Sequence, residues 1–343
     1  MATAEHVETD FADADGDFVG TDGHGLFEVI SGIYQVRRFD ISTMTLIEGA
    51  TGVIVLDPRT GAETAAALAL YRRHRGARPV TAVIHTHPPA DHACVVDPDI
   101  RVPIVAPEHS RAGLFAPTAE IRATGEAATY DGVEFVFQLT PGTGAPAAMN
   151  VHLPGHRALC LTRRGERVRD PRTRSRHLAE AIELFAGESE VLFAAHHRPI
   201  RGRERIAGYL RAQRDLYAYL HNQSARLMNA HPTDARTVTQ LFDTVAVRLV
   251  PERAGEQRLS IHWVVTDLAE HYRMELGNAV LVHFPTRRDD PADLTVELTH
   301  AQLRTALTTG DLGSARCCGD PAVLRRVLAM TDAPDPRFAV GTP

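Results

Sequence analysis

The chain contains no lysine. All 37 basic residues among its 343 residues are arginines, and they are scattered along the sequence instead of forming a stripe. The formal net charge is -6, so the charge pattern argues against a nucleic-acid-binding surface. We attribute the missing lysine to genomic base composition and not to a specialised arginine surface.

Cysteine is scarce, and long apolar runs are missing. The four cysteines show neither CxxC spacing nor the density of a secreted scaffold, so we expect reduced thiols. No apolar run approaches the roughly 20 residues that cross a bilayer. The N-terminus shows no basic start followed by an apolar core, so no secretory signal is expected. The sequence therefore predicts a cytoplasmic protein without a membrane span.

The length of the chain allows two domains, each with its own core. Residues 1–24 are acidic and rich in small residues, which predicts a mobile tail. The segment Asn229 to Arg236, with Pro232 and Asp234, is the best candidate for a boundary. We therefore expect one domain over residues 25–230 and a second over 231–343.

Short apolar runs separated by glycine, alternating with helical patterns, predict an α/β layer fold for the first domain. The predicted strands are 26–30, 33–36, 44–47, 52–56, 80–84, 102–105, 134–137, 151–153, 158–161 and 191–194. The predicted helices are 63–74, 107–114, 172–185 and 203–228.

The second domain has a different order of elements. A helix at 238–249 precedes strand-like runs at 258–265, 270–276, 279–284 and 294–298, and helices at 301–307 and 321–330 follow. Strands in series followed by helices predict a small α+β domain.

The candidate site lies in the loop that follows the predicted strand 80–84. Three histidines and an aspartate fall between positions 85 and 92, and these are His85, His87, Asp91 and His92. In α/β folds such a loop lies at the carboxyl edge of the sheet, where side chains can ligate a metal. The strand at 191–194 brings His196 and His197 as further candidates.

The spacing of this loop resembles the His-x-His-x-Asp-His signature of the metallo-β-lactamase fold, with His87, Asp91 and His92 in register. With the passages 42–58, 141–150 and 193–204, the chain resembles the class III alkyl sulfatases over most of residues 26–343. Residues from about 237 onward, including Trp263, resemble the sterol-carrier-protein-2-like (SCP2-like) domain of that family. The resemblance implies a metallo-β-lactamase-like αββα sandwich followed by a small α+β SCP2-like domain that binds apolar ligands.

The chain departs from the family pattern at one of the two zinc sites. Pro89 stands where the signature has its second histidine, and Gly144 stands where the family loop has a glutamate. The stretch after Ala-Leu-Cys is shortened, which leaves Glu166 as its only carboxylate. The helical dimerisation region between the two domains is missing as well, so we expect a monomer or a small homodimer.

The resemblance implies that the other zinc site is retained. Its ligands match Asp91, His92 and His196, and three ligands plus a water suffice for a mononuclear catalytic zinc. His87 and His197 remain further candidates, and one of His196 and His197 is structural. We expect one zinc per chain at most, or none, with His87, Asp91 and His196 as the catalytic residues.

Three functions remain open. The first is an altered enzyme that hydrolyses, eliminates or isomerises a small metabolite, using one zinc or a metal-free His/Asp cluster. The second is a non-catalytic binding protein for an apolar ligand, with the histidine loop as a remnant. The third, a true alkyl sulfatase, is the weakest because the sulfate-binding stretch is altered. The substrate is expected to be a small molecule, apolar or anionic, and the candidates to receive an anion are Arg163, Arg164, Arg198 and Arg201.

Overall fold

The computed structural model describes residues 25–37, 43–58, 61–88, 101–110, 116–142, 145, 147–162, 170–194, 197–227, 237–288 and 290–332. These residues divide into two compact units. The first lies within Met1–Arg169 and Phe185–Gly208, and the second within Asp170–Leu184 and Tyr209–Pro343.

The first sheet of the first unit has seven strands in sequential order. They are β1 (Gly25–Ile30), β2 (Ile33–Arg37), β3 (Met44–Glu48), β4 (Val53–Leu56), β5 (Val80–Ile84), β6 (Ile104–Pro107) and β7 (Ala119–Ile121). Strands β1 to β4 pair antiparallel, whereas β4 to β7 pair parallel. The parallel half places several strand carboxyl ends at one edge, which is where such sheets bind ligands.

Helix α1 (Gly61–Arg75) connects β4 to β5 as a crossover. A connection of this kind is required because parallel neighbours cannot be joined by a tight turn. Leu68 and Tyr71 of the helix pack with Val53 and Val55 of β4 in one apolar cluster. Helix α1 therefore covers one face of the first sheet.

The second sheet has six strands in the order β13-β12-β11-β10-β9-β8. They are β8 (Ala127–Tyr130), β9 (Val133–Leu139), β10 (Met149–Leu153), β11 (Ala158–Leu161), β12 (Val191–Ala194) and β13 (His197–Arg201). The β8–β9 turn uses Asp131 at φ 44° and Gly132 at φ 79°. Two consecutive residues with positive φ match the twist of a two-residue hairpin.

The core of the first unit lies between its two sheets. Residues that alternate with the helix-facing ones, such as Ile54 and Leu56 of β4, pack against Phe135 and Phe137 of β9. All four of these side chains are fully buried. Burial of alternate residues on both faces explains why β4 reads as a continuous apolar run.

The second unit is built on a five-stranded sheet in the order β16-β15-β14-β17-β18. Its strands are β14 (Leu259–Val265), β15 (Glu270–Gly277), β16 (Val280–Pro285), β17 (Leu294–Leu298) and β18 (Arg316–Gly319). The remaining helices of the chain are α2 (Pro171–Ala181), α3 (Arg203–Leu227), α4 (Val238–Arg248), α5 (Pro251–Ala254), α6 (His300–Thr309) and α7 (Ala322–Ala329). A π-turn, Ile182–Ala186, extends α2.

Both faces of this sheet are packed against helices. Trp263 is fully buried in the main core, together with Phe242 of α4, Leu303 of α6 and Leu324 of α7. On the opposite face, residues of the edge strand β16 form a smaller cluster with Ala179 of α2 and Ala218 of α3. Helices α4 and α6 begin with capping boxes at Thr237 and Thr299, which fix where each helix starts.

The structure confirms most of the predicted elements and corrects one helix. The predicted helix 107–114 is wrong at its start, since Pro107 ends β6 and His109 lies in a turn with φ 66°. The strand continues through Pro107 because the short strand β7, which the sequence pattern did not reveal, pairs with it. Residues 111–115 lie outside the described part of the chain.

The predicted tail 1–24 lies outside the described residues, as does most of the predicted boundary between 228 and 236. The division at residue 230 stays a prediction. None of the described helices combines the length and apolar character needed to cross a membrane.

Candidate functional site

The candidate site begins where the parallel neighbours β4 and β5 end. Asp57 follows β4, and its Oδ1 accepts a hydrogen bond from the main-chain N–H of Thr86 at 2.7 Å. Its Oδ2 accepts one from the Thr86 hydroxyl, also at 2.7 Å. Asp57 adopts φ 53°, a left-handed conformation that aspartate tolerates better than most residues. This carboxylate therefore fixes Thr86, the second residue after β5, at the start of the histidine loop.

The same hydroxyl selects the tautomer of the neutral His87 ring. Thr86 Oγ1 lies 3.0 Å from His87 Nδ1. Thr86 has one hydroxyl proton, and that proton is donated to Asp57, so its oxygen must accept a proton from Nδ1. His87 is thereby held as the Nδ1–H tautomer, which leaves the Nε2 lone pair available to bind a metal or a proton.

His85 has a different environment. It is 2% exposed. Burial lowers its pKa to about 4, against a smaller opposing effect of Asp57, so the ring is neutral at pH 7. His85, one of the candidates of the loop, therefore packs inside the first unit.

Two further contacts hold the surroundings of the site. The main-chain N–H of Met149, at the start of β10, donates to the carbonyl of Thr86 at 2.8 Å. Gln35, fully buried on β2, donates through Nε2 to the carbonyl of Ala194 at 3.2 Å. Both bonds join the two sheets where the candidate loops begin. Sequence patterns do not reveal these roles of Gln35 and Thr86. A glutamine inside an apolar strand was an available signal for Gln35, because a buried amide needs a hydrogen-bond partner.

The described residues contain only part of the predicted ligand set. His87 is described, with its side chain 31% exposed. Asp91, His92 and His196 lie outside the described residues, and His197 is described only as a backbone position in β13. No group of three or more His, Cys, Asp or Glu suited to a metal occurs within the described part alone. The predicted ligand set therefore stays a prediction.

Of the two candidate arginines on β13, Arg201 donates to the main-chain carbonyl of Val29 at 2.6 Å. This contact gives Arg201 a structural role. Arg198 is exposed and lies near Arg37, whose pKa is lowered to about 10 by burial and by the positive charge of Arg198. Two guanidinium groups therefore lie close to each other at this end of the first unit.

Comparison with known families matches both parts of the chain. The model of the metallo-beta-lactamase superfamily matches residues 37–169, and that of the alkyl sulfatase C-terminal domain matches residues 227–343. The two-sheet architecture of the described residues agrees with the first match.

Curated relatives give the same result. The chain is 34% identical over 273 residues to the alkyl/aryl-sulfatase BDS1 of Saccharomyces cerevisiae, covering 60% of this chain and 42% of that protein. It is 34% identical over 288 residues to a linear primary-alkylsulfatase of a Pseudomonas species, covering 64% of this chain and 42% of that protein. The matched region thus spans less than half the length of these relatives.

Among solved structures, the inverting sec-alkylsulfatase Pisa1 of a Pseudomonas species aligns over 92% of this chain and 86% of that chain. The TM-score is 0.55 at 21% sequence identity, which supports the fold. The first unit is thus a metallo-β-lactamase fold. Residues 37–169 thus match the metallo-beta-lactamase superfamily and residues 227–343 the alkyl sulfatase C-terminal domain, and the chain is similar to alkyl sulfatases, as the resemblance in the sequence predicted. The likeness of its last domain to SCP2 stays a prediction.

Proposed function

We propose that the chain is an altered enzyme of the alkyl sulfatase family that cleaves a bond in a small metabolite at the histidine loop. The observation that supports it most is the hydrogen-bond series Asp57–Thr86–His87, which directs Nδ1 of His87 to the threonine and leaves Nε2 as the ring nitrogen outside this series. A loop that merely persisted as a remnant would have no need of a buried threonine and a left-handed aspartate to orient one imidazole.

The donor chemistry of this loop suits a zinc ion. Asp91, His92 and His196 would hold it, and a neutral imidazole and a carboxylate are ordinary zinc ligands. When bound, zinc supplies hydroxide at neutral pH by lowering the pKa of its water. His87, with its free Nε2, would accept or hold a proton beside that site or act as a further ligand. Without metal, the same lone pair makes His87 a general base.

Two family ligands are replaced in this chain, and their loss favours one metal ion per chain over two. Pro89 and Gly144 offer no side-chain donor at the positions where the family signature has a histidine and a glutamate. A single ion favours a nucleophilic water over the two-metal arrangement that clamps both the attacking and the leaving oxygen. This reduced site is why we place the substrate among small metabolites, apolar or anionic.

A second candidate is alkyl sulfate hydrolysis itself. It is favoured by the two curated relatives, which are an alkyl/aryl-sulfatase and a linear primary-alkylsulfatase. The shortened stretch 162–168 speaks against it, because the sulfate-binding residues of the family are expected there.

A turnover assay tests the proposal. Purified protein with and without added zinc would be incubated with dodecyl sulfate and with a panel of small esters, sulfates and β-substituted acids. The account predicts zinc-dependent turnover of a panel member that is lost in His87→Ala, with little inorganic sulfate released from dodecyl sulfate. Rapid sulfate release would show a true alkyl sulfatase instead. Absence of all turnover, with an apolar ligand bound, would identify a binding protein.

A further inference from the structure

The second unit contains a polar cavity where helices α2, α3 and α4 meet the edge strand β16. Its volume is about 30 Å³, and its walls include Arg172 and Arg176 of α2, His221 and Asn222 of α3, Asp243 of α4 and His283 of β16. On the same measure one water molecule needs about 10–15 Å³. The cavity therefore has room for more than one oxygen-sized group.

Among the described residues that line this cavity, Asp243 is the only carboxylate, and its oxygens are already engaged. Oδ1 lies 2.9 Å from His283 Nε2, and Oδ2 accepts a hydrogen bond from Arg172. Burial opposes ionisation of Asp243, yet the bond from His283 and the charge of Arg172 hold its pKa below the usual value. Burial also lowers the pKa of His283, so this ring is neutral at pH 7 and donates its single N–H.

The two arginines therefore exceed the available negative charge in the wall. Within the described residues, the buried Nε of Arg172 has no acceptor. Arg176 is exposed, and the carboxylates of Asp243 and Asp170 attract its guanidinium group. Burial and the neighbouring Arg172 both lower the pKa of Arg176. With the histidines neutral, the wall carries two positive charges and one negative charge. Asp170, outside the wall, is engaged in capping α2 through Thr173.

Neutral donors complete the surroundings. Asn222 is buried, and its amide donates to the carbonyl of Leu281 at 3.4 Å. The pKa of His221 is lowered by burial and by Arg172, so this ring is neutral and offers one N–H and one lone pair. Guanidinium groups with neutral N–H donors are the usual partners of tetrahedral oxyanions.

We propose that this cavity binds a tetrahedral oxyanion, sulfate or phosphate, between Arg172 and Arg176. The anion balances the excess positive charge of the wall and accepts a hydrogen bond from Arg172 Nε, which lacks an acceptor. The site is separate from the histidine loop and does not depend on the proposed enzymatic function. The bound oxyanion is either a free inorganic ion or the anionic headgroup of an ester.

The test is titration of the whole protein with sodium sulfate at constant ionic strength, followed by calorimetry and by the imidazole NMR signals of His221. These signals are assigned by their loss in His221→Gln. We expect one sulfate per chain that shifts the His221 signals, and affinity about tenfold weaker in Arg176→Gln. The matched control is Arg304→Gln on α6, an exposed arginine of the same unit, which should bind sulfate as the wild type does.

Parallel titrations identify the source and separate this site from the histidine loop. Phosphate in place of sulfate tests for a free ion, and methyl sulfate tests for a headgroup; saturable binding of either at His221 supports the proposal. Asp57→Asn should leave this binding unchanged, because Asp57 belongs to the first unit. Absence of saturable binding, or equal affinity in Arg176→Gln, would overturn the proposal.

Discussion

Asp57 and Thr86, 29 positions apart in the sequence, are joined by two hydrogen bonds of 2.7 Å each. The pair connects the carboxyl ends of two parallel strands and orients His87 through the threonine hydroxyl. On the proposal that His87 is a further zinc ligand, Asp57 affects the metal affinity through Thr86 without touching the metal. This relationship gives the first two predictions.

Replacing Asp57 by Asn should weaken zinc binding about 10- to 100-fold, the range found for outer partners of metal ligands. An amide cannot accept through both atoms, so one of the two Thr86 bonds is lost. Asp131→Asn is the matched control, because Asp131 also accepts several bonds, from Thr51, Gly52 and Thr81, in the same unit. Competition with a chromophoric chelator measures the affinity. Equal losses in both variants would show that only folding was affected.

Thr86→Val keeps the shape of the side chain and removes its hydroxyl. His87 then loses its Nδ1 acceptor and is free to adopt either tautomer, so we expect zinc affinity to fall about tenfold. Thr86→Ser should restore it. The imidazole nitrogen signals of His87 give the tautomer directly, and a wild-type tautomer in Thr86→Val would contradict the assignment.

The stability of the second unit should decrease as the pH falls from about 6.5 to 4. Burial lowers the pKa of His177 to about 4. The positive charges of Arg174 and Arg176 lower it further, whereas the negative charge of Asp170 opposes the shift. Above pH 6.5 both the folded and the unfolded states are neutral at this group; below it, only the unfolded state binds the proton. The loss amounts to about 3 kcal/mol over this window.

Fluorescence of Trp263 measures this loss, because it is the only tryptophan and is fully buried in the second unit. Urea unfolding between pH 7 and 4 should show a shallower pH dependence in His177→Gln than in the wild type. An identical dependence would assign the effect to other groups.

Arg214→Ala should destabilise the second unit by about 3 kcal/mol, because it removes the cationic partner of the buried Asp215, which then keeps only the neutral amide of Asn278. Arg214 is 6% exposed and pairs with Asp215 and Glu275 at 2.9 Å each. The exposed pair Arg253–Asp332, at 3.3 Å, is the control, and Arg253→Ala should cost less than about 1 kcal/mol. The same fluorescence unfolding compares both variants.

Much of the fold was predictable because its strands are apolar runs bounded by glycine, and its helices show regular apolar spacing. The strand 80–84 and the strand 158–161 were predicted with the bounds that the structure has. The short strands β8 and β13 were missed. Asp131–Gly132 was an available hairpin signal for β8. Pro199 argues against a strand in the sequence, but β13 lies at the edge of its sheet, where proline is tolerated.

The candidate site was predictable only in part. Histidine and aspartate spacing identifies the loop after β5, since that signal lies in consecutive residues. The contacts of Thr86 with Asp57, and of Gln35 with Ala194, join residues far apart in the chain. No local pattern encodes such pairs, which is why the structure was needed to find them.

The most direct test of the account is the metal content of protein purified without added metal and without a histidine tag. Elemental analysis of the wild type beside Asp91→Ala gives the number of zinc ions per chain. The account predicts about one zinc per chain, lost in the variant. No zinc in the wild type, even after zinc is supplied, would contradict the proposal of a zinc-dependent enzyme. The remaining functions would be acid–base catalysis by the histidines or ligand binding without catalysis.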